Sequence, residues 1–459
     1  MKATALVGML AVCAMCAVSL TGCSLVLDLP ADCTPDDCNG YQCNPEGTGC
    51  LIDCDGDEDC ADGFLCNTGR DACVEIGCEP AGELQVLFPQ ADDARDVTLL
   101  WNGAEMGAVY PGEGGLEFAR IDVNGQPLAD PVVLDERGAS PQRPSLAWTG
   151  DVWAISWEAT GLIDGVRREL LRFAVVGVGD RFDVAPVTLW NTTEDQATAT
   201  IEKSVDTPSI AWDAERERFV IVWSTQVDAA DVWMLIVDRE GKDLGGNDPD
   251  EIPHETAQRV NLTGADSVAP IVNVRSAEVY DVVYREGAAS VNVLLRTFDR
   301  NADRQGGDVN LSATDARIDS HGHVRINTGS VVAFTEVNGE RSVSYRAQIK
   351  NDRTIAGGTK LPIERDFVST SDATVAARAD GSQYAVVLVG ERLERREVYM
   401  ARFKDNGASI AVPFSLTELQ TRAPVHPRVV GTDEGFMVLF QETEGSRQGQ
   451  ILGQHWTCD

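Results

Sequence analysis

Pro208-Ser-Ile-Ala-Trp212, Phe219-Val-Ile-Val-Trp223 and Val232-Trp-Met-Leu-Ile-Val-Asp238, with Gly241 three residues further on, form one unit of a repeat. Each run is short, rich in β-branched and aromatic residues, and bounded by turn formers, so each reads as a strand. The triplet stands upstream as Pro144-Ser-Leu-Ala-Trp148, Val152-Trp-Ala-Ile-Ser-Trp157 and Leu170-Leu-Arg-Phe-Ala-Val175. Downstream it stands as Pro270-Ile-Val, Val279-Tyr-Asp-Val-Val-Tyr284 and Val293-Leu-Leu-Arg-Thr-Phe-Asp299. Weaker copies begin near Val324, Ala373 and Pro427. The prolines at 144, 208 and 270 are 64 and 62 residues apart, and Pro427 follows after 157, three steps of about 52. A fourth run often follows, as in Val187-Thr-Leu-Trp190.

Short strands at even spacing, with about 50 residues per unit, predict an all-β fold, a propeller of four-stranded blades. No amphipathic helical stretch of useful length interrupts them, which argues against the α/β classes. The six units and a less regular one from Val97 to Leu134 give seven blades; the irregular first unit leaves six or eight open. The last unit has three strands. Leu84-Gln-Val-Leu-Phe88 supplies the missing fourth, closing the ring and removing two open sheet edges. In an antiparallel pair the start of 84–88 lies beside the end of 449–456, and Cys78 and Cys458 flank those ends. The arrangement predicts a Cys78–Cys458 disulfide that locks a propeller of residues 84–457.

These units resemble the repeat propellers of exported bacterial lipoproteins, whose pattern runs P-x-hydrophobic-A-W, then aromatic-x-V-x-W, then a hydrophobic run ending D-x-x-G. Pro208 to Gly241 follows it. The resemblance covers residues from about 84 to 457 and implies fold and location more than activity.

Residues 1–23 read MKATALVGMLAVCAMCAVSLTGC, with Lys2 ahead of an apolar stretch. This is the pattern of a signal peptide. Its end, Leu20-Thr-Gly-Cys23, resembles the bacterial lipobox. The resemblance implies cleavage after residue 22, acylation of Cys23 and a lipidated linker over 23–32. Acyl chains anchor a protein without spanning the bilayer. Ser24 follows the cysteine, which by the usual sorting rule for such lipoproteins implies the outer membrane, on its periplasmic or surface face.

Of 13 cysteines, 10 remain after the signal peptide and Cys23 are set aside. An even number in an exported chain implies disulfides. Nine lie in the segment 33–78, which contains a duplication: Cys33, Cys38, Cys43 and Cys50 match Cys54, Cys60, Cys66 and Cys73 at offsets of 21 to 23 residues. Each unit is too short for a hydrophobic core, so two cross-links would take its place. Two bridges within each unit are expected, first to third and second to fourth, with Cys78 left for Cys458. The units resemble short cysteine-rich repeats that act as spacers or binding knobs.

The formal net charge is −35. This argues against nucleic acid and against polybasic membrane attachment. Zinc binding by the cysteine-rich segment is not expected, because it has no CxxC pair and no histidine. The acidic run Asp53 to Asp59 departs from the EF-hand pattern, since Gly56 comes too early. No cofactor is expected beyond weak calcium binding there.

No catalytic constellation stands out. His254-Glu255 lacks the second histidine of HExxH, because position 258 is Gln. His321-Gly-His323 shares one strand face and reads as a surface turn between blades rather than a chelate. G-x-S-x-G elbows, phosphate-cradling loops and sialidase Asp-boxes are absent; Thr432-Asp-Glu-Gly435 reads as a hairpin turn. Trp148, Trp153, Trp157, Trp212, Trp223 and Trp233 occupy repeat positions and are expected to pack between blades. Trp101 and Trp190 are less regular and are candidates for a sugar-binding face. The expected function is a membrane-anchored envelope lipoprotein whose propeller binds or scaffolds a protein or glycan partner. The alternative is an envelope glycan hydrolase or lyase using propeller carboxylates.

Overall fold

The computed structural model describes residues 77–458 apart from short connecting segments, of which 192–204 and 245–256 are the longest, and the strands Phe64–Asn67 and Ala72–Glu75. The chain divides into two units, residues 1–73 and 74–459. Phe64–Asn67 and Ala72–Glu75 pair in a two-stranded sheet that carries Cys66 and Cys73. Cys23, Cys33, Cys38, Cys43, Cys50, Cys54 and Cys60 lie outside the described residues, as does His254.

The second unit is a seven-bladed propeller. The inner strands of blades 1 to 7 are Thr98–Trp101, Gln142–Trp148, Val205–Asp213, Ser267–Ser276, Arg317–Ile326, Ser369–Ala377 and Pro424–Gly431. Each blade then runs outward through antiparallel neighbours, as in blade 3 with Arg218–Val227, Ala229–Asp238 and Gln258–Arg259. The inner strands touch in a closed circuit, with blade 7 returning to blade 1.

Blade 7 is completed from the other end of the chain. Gln85–Leu87 pairs antiparallel with Ile451–Gly453, as the closure argument requires. The closing strand has a second piece, since Cys78–Pro80 pairs with Trp456–Cys458. Between Pro80 and Gln85 the chain takes five steps against three on the partner, so the ladder breaks there. Cys78 and Cys458 stand directly opposite and form a disulfide, with a Cα–Cα distance of 4.1 Å.

The core lies between blades rather than inside them. One apolar cluster joins Phe173 and Leu171 of blade 2 to Phe219, Ile221 and Trp223 of blade 3. Similar clusters join blades 1 and 2, 3 and 4, 4 and 5, and 5 and 6. The repeat tryptophans belong to this layer: Trp153, Trp157 and Trp223 are fully buried, and Trp148, Trp212 and Trp233 pack against it. Trp101 and Trp190 do the same rather than forming an open sugar-binding face; the Trp190 ring lies tilted against Trp223, with centroids 6.0 Å apart.

Two motif residues have clear local work. In the D-x-x-G turn, Asp238 Oδ1 accepts hydrogen bonds from the Glu240 and Lys242 amides at 3.1 and 2.7 Å, while Gly241 supplies φ +76°. The serine of the Pro-Ser pair serves the next blade. Ser145 Oγ accepts from the Ile210 amide at 3.1 Å, and Ser209 Oγ accepts from the Val272 amide at 3.2 Å. Thr98 Oγ1, at the same register, donates to the Pro144 carbonyl.

The disulfide closes a loop with a sequence separation of 380 residues. Cys458→Ser is expected to lower stability by about 2–5 kcal/mol. The check is the urea midpoint of the oxidised wild type against the variant. Coincident midpoints would mean that strand pairing alone holds the ring.

Candidate functional site

The inner strands begin together at one mouth of the central opening. Near those starts the chain takes positive φ at Arg143, Thr207, Ala269, Asp372 and His426, between +46° and +54°. At each the ladder to the second strand slips. Four of the five precede a proline, whose ring bars the right-handed α region to the residue before it. A bulge re-aims its side chain, so these positions serve the mouth rather than the core.

Blade 1 departs from the others at this mouth. Its inner strand has four residues, against seven to ten elsewhere. Upstream stands a single 3₁₀ turn, Ala94–Asp96, packed on the inner strands of blades 7 and 2, with Ala94 fully buried. Asp93 caps it: Oδ1 accepts from the Arg95 amide at 2.8 Å, and Oδ2 accepts from Arg95 Nε and Nη2 at 2.9 and 2.6 Å.

Two charged side chains, one on blade 7 and one on blade 2, lie within the field of Asp96 in this turn. Arg428, in blade 7, stands at the repeat position that holds Ser145 and Ser209 in blades 2 and 3. It is half-buried, within the field of Asp372, Asp93, Arg95 and Asp96, and makes no hydrogen bond or ion pair among the described residues. Burial lowers its pKa from the ordinary arginine value. Glu158, in blade 2, pairs with Gln142 at the start of its inner strand. Its Oε2 is buried without a hydrogen-bond partner. Burial pushes the Glu158 carboxyl up to about 7, with Arg143 opposing and the charges of Glu169 and Asp96 adding to the rise.

The surrounding charges are held by partners. Burial favours the neutral form of Asp93, but the Arg95 hydrogen bonds outweigh it and hold that carboxyl below its usual range. Asp372 behaves alike: burial raises it, and its hydrogen bond to His426, at 3.2 Å, brings it below the usual value. Asp96 is raised, first by burial and then by the neighbouring Asp93. Among the described residues, the mouth between blades 6, 7, 1 and 2 thus holds a cation without a partner and a carboxyl poised near neutrality, framed by fixed ion pairs.

The residues singled out from sequence fall elsewhere. His321 and His323 lie on the inner strand of blade 5 and are not a surface turn. His323 is 8% exposed, with the Ile271 backbone beside its ring. Burial drives both histidines down to about 3, with Arg285 beside His321 and Arg275 beside His323 adding to the effect. Two arginines beside a histidine pair disfavour a cation, and no group of three metal-ligating side chains forms among the described residues. Thr432–Gly435 is a hairpin turn in which Thr432 Oγ1 accepts from the Gly435 amide at 3.0 Å. Arg428 and Glu158 escaped the sequence reading, although Arg428 breaks the Pro-Ser pair at Pro427.

The raised Glu158 has a direct consequence. A carboxyl whose folded pKa exceeds its unfolded value stabilises fully below about 4.5 and loses that contribution as pH rises through about 7. Glu158→Gln is therefore expected to be more stable than wild type near pH 8, by about 1–3 kcal/mol, and equal to it near pH 4. Paired thermal melts at the two pH values measure this. Equal stability at both would mean that the carboxyl is well solvated.

No protein family matches this sequence, and no curated protein does. Solved structures of similar fold include a protein of unknown function from Dyadobacter fermentans DSM 18053, 9% identical, covering 84% of this chain and 100% of its own, with a TM-score of 0.45. An oligogalacturonate lyase in complex with manganese is 11% identical, covering 85% of this chain and 94% of its own, with a TM-score of 0.46. A prolyl endopeptidase is 12% identical and matches over 83% of this chain and 51% of its own, with a TM-score of 0.43. What this chain has in common with them is the fold.

Proposed function

We propose that this protein is a lipid-anchored binding protein of a bacterial envelope, with its ligand site at the channel mouth between blades 7, 1 and 2. The observation that carries the reading is the Ala94–Asp96 turn, with Asp96 in the field of both Arg428, which has no partner among the described residues, and Glu158, whose Oε2 is buried without one among them. A half-buried charge or polar atom without a partner costs stability, so two such groups near one irregular turn are candidates for ligand contact.

The envelope location rests on Lys2, the apolar stretch and Leu20-Thr-Gly-Cys23. Cell growth with labelled palmitate tests it. Wild type is expected to carry the label and Cys23→Ala to carry none. Label retained by the variant would move the anchor elsewhere or remove it.

For binding, immobilised wild type and the double variant Arg428→Ala, Glu158→Gln are incubated with a deproteinised envelope extract. At least one compound is expected to stay on the wild type and to be lost from the variant, with unchanged circular dichroism. Identical retention by both would remove the mouth as the site. A second reading, a glycan hydrolase or lyase, is favoured by one observation: Glu158 is held near neutrality, where a carboxyl can give and take a proton. In the same experiment it requires a product that accumulates with time and disappears in Glu158→Gln.

A further inference from the structure

We propose that the Cys78–Cys458 bridge is made with the help of a second protein, a thiol–disulfide isomerase that acts on the open chain before the ring closes. The proposal rests on the reading of this chain as exported to an oxidising compartment.

The difficulty lies in the spacing. Cys78 is the last of nine cysteines within residues 33–78, and its nearest neighbour, Cys73, is five residues away. Its partner in the fold is 380 residues away, next to the last residue of the chain. In an unfolded chain the chance that two points meet falls as the three-halves power of the loop between them. Cys78 therefore meets Cys73 about 600 times as often as it meets Cys458. Synthesis widens the gap, since Cys458 emerges last.

Folding does not supply the missing encounter early. Cys78 and Cys458 stand opposite each other only where Cys78–Pro80 pairs with Trp456–Cys458, the final stretch of the last strand. That pairing needs blade 7 built through Gly435–Glu442 and the ring brought round. An oxidant that works faster than the ring closes leaves Cys78 tied to a neighbour and Cys458 a bare thiol.

Nor is the error open to repair once the strands have paired. In the closed ring Cys78 is 3% exposed and Cys458 7%. Blade 6 clamps the backbone of both: Arg402 Nη1 donates to the Gly77 carbonyl, and Arg378 Nη1 donates to the Cys458 carbonyl at 3.1 Å. The Cys458 amide donates to the Glu434 carbonyl at 2.7 Å. Exchange requires a thiolate to reach a sulfur, and a protein thiol does not reach sulfurs so covered.

The chemistry is redox-neutral exchange. The isomerase thiolate attacks the Cys78 sulfur of a Cys73–Cys78 bridge. A mixed disulfide forms, and the Cys73 thiolate leaves and takes up the proton that Cys458 gives up. The Cys458 thiolate then attacks the same Cys78 sulfur, forming the native bridge and releasing the isomerase thiolate. Cys73 is oxidised later with its own partner, two electrons and two protons passing to a dithiol oxidase in its disulfide form.

The test is refolding of residues 23–459 carrying Cys23→Ser in place of the acylated sulfur. The reduced, unfolded chain is diluted, oxidised with diamide, desalted, and incubated with or without reduced protein disulfide isomerase. Cleavage after Glu75 separates Cys73 from Cys78, so non-reducing peptide mapping reads the 78–458 bridge directly. Diamide alone is expected to bridge a minority of chains, and the isomerase to raise that fraction about fivefold or more. A chain with every cysteine from Cys33 to Cys73 replaced by serine should form the bridge with diamide alone and gain nothing from the isomerase. An isomerase lacking its second active-site cysteine should be captured by Cys78 of the open chain and not by the folded protein. Equal bridging of the wild type with and without isomerase overturns the proposal. So does an equal gain in the serine chain, which would clear the neighbours of competing, or capture by the folded protein. None of these readouts depends on the acyl anchor. If labelled palmitate finds no anchor while the isomerase dependence holds, the envelope reading falls and the proposal stands for any oxidising compartment. If the anchor is found and the isomerase adds nothing, only the proposal falls.

Discussion

The free edges of seven separate sheets set the terms for everything else in the propeller. Each blade ends inward on a strand whose outer-facing amides and carbonyls have no ladder to join, and unpaired backbone groups are costly when water is kept out. The chain answers by reaching across each seam. Ser145 and Ser209 offer oxygens to the Ile210 and Val272 amides, Thr98 donates to the Pro144 carbonyl, and Asn273 donates to the His323 carbonyl. Because these links and the apolar clusters run between blades, no blade has a core of its own. Closing the circuit then matters as much as any contact within it, and the last blade borrows Gln85–Leu87 and Cys78–Pro80 to do so.

The same constraint explains what could be read in advance. Proline, serine and tryptophan recur because bulge, seam and interblade packing recur, so the repeat and its strand order were legible from Pro208 to Gly241. The closing disulfide was legible because Cys78 is left over from a duplicated set of eight and Cys458 flanks the only incomplete unit. The break in the closing strand was not, since nothing marks the two extra residues between Pro80 and Gln85. The cysteine-rich pairings lie outside the described residues and stay at the level of spacing.

The proposed site was illegible for a physical reason. Function in a repeat fold gathers where the repeat fails, and a search for likeness passes over such places. Arg428 reads as a weak copy of serine, and Ala94–Asp96 as an irregular start to the first unit. Only the ring's geometry brings residue 428 beside residue 96, across more than 300 residues of chain. The histidine pair shows the converse. His321-Gly-His323 catches the eye as a sequence, yet Arg275 and Arg285 stand beside it, and neither can be seen from the motif.

The clasp has a mechanical side. A pull arriving along the backbone from the N-terminal side enters the propeller at Cys78, on the outermost strand of blade 7. The first link it meets there is a covalent bond to the far end of the same polypeptide, not a row of hydrogen bonds that could unzip one after another. Load passes through the sulfur bridge into Ile451–Cys458, the third strand of blade 7, and is shared with Gly435–Glu442, its other neighbour in the sheet. The small piece 78–80 and the break after it are shielded from tension. A molecule tethered by that end could be tugged, sheared or dragged by a moving partner without its wheel of blades coming unrolled.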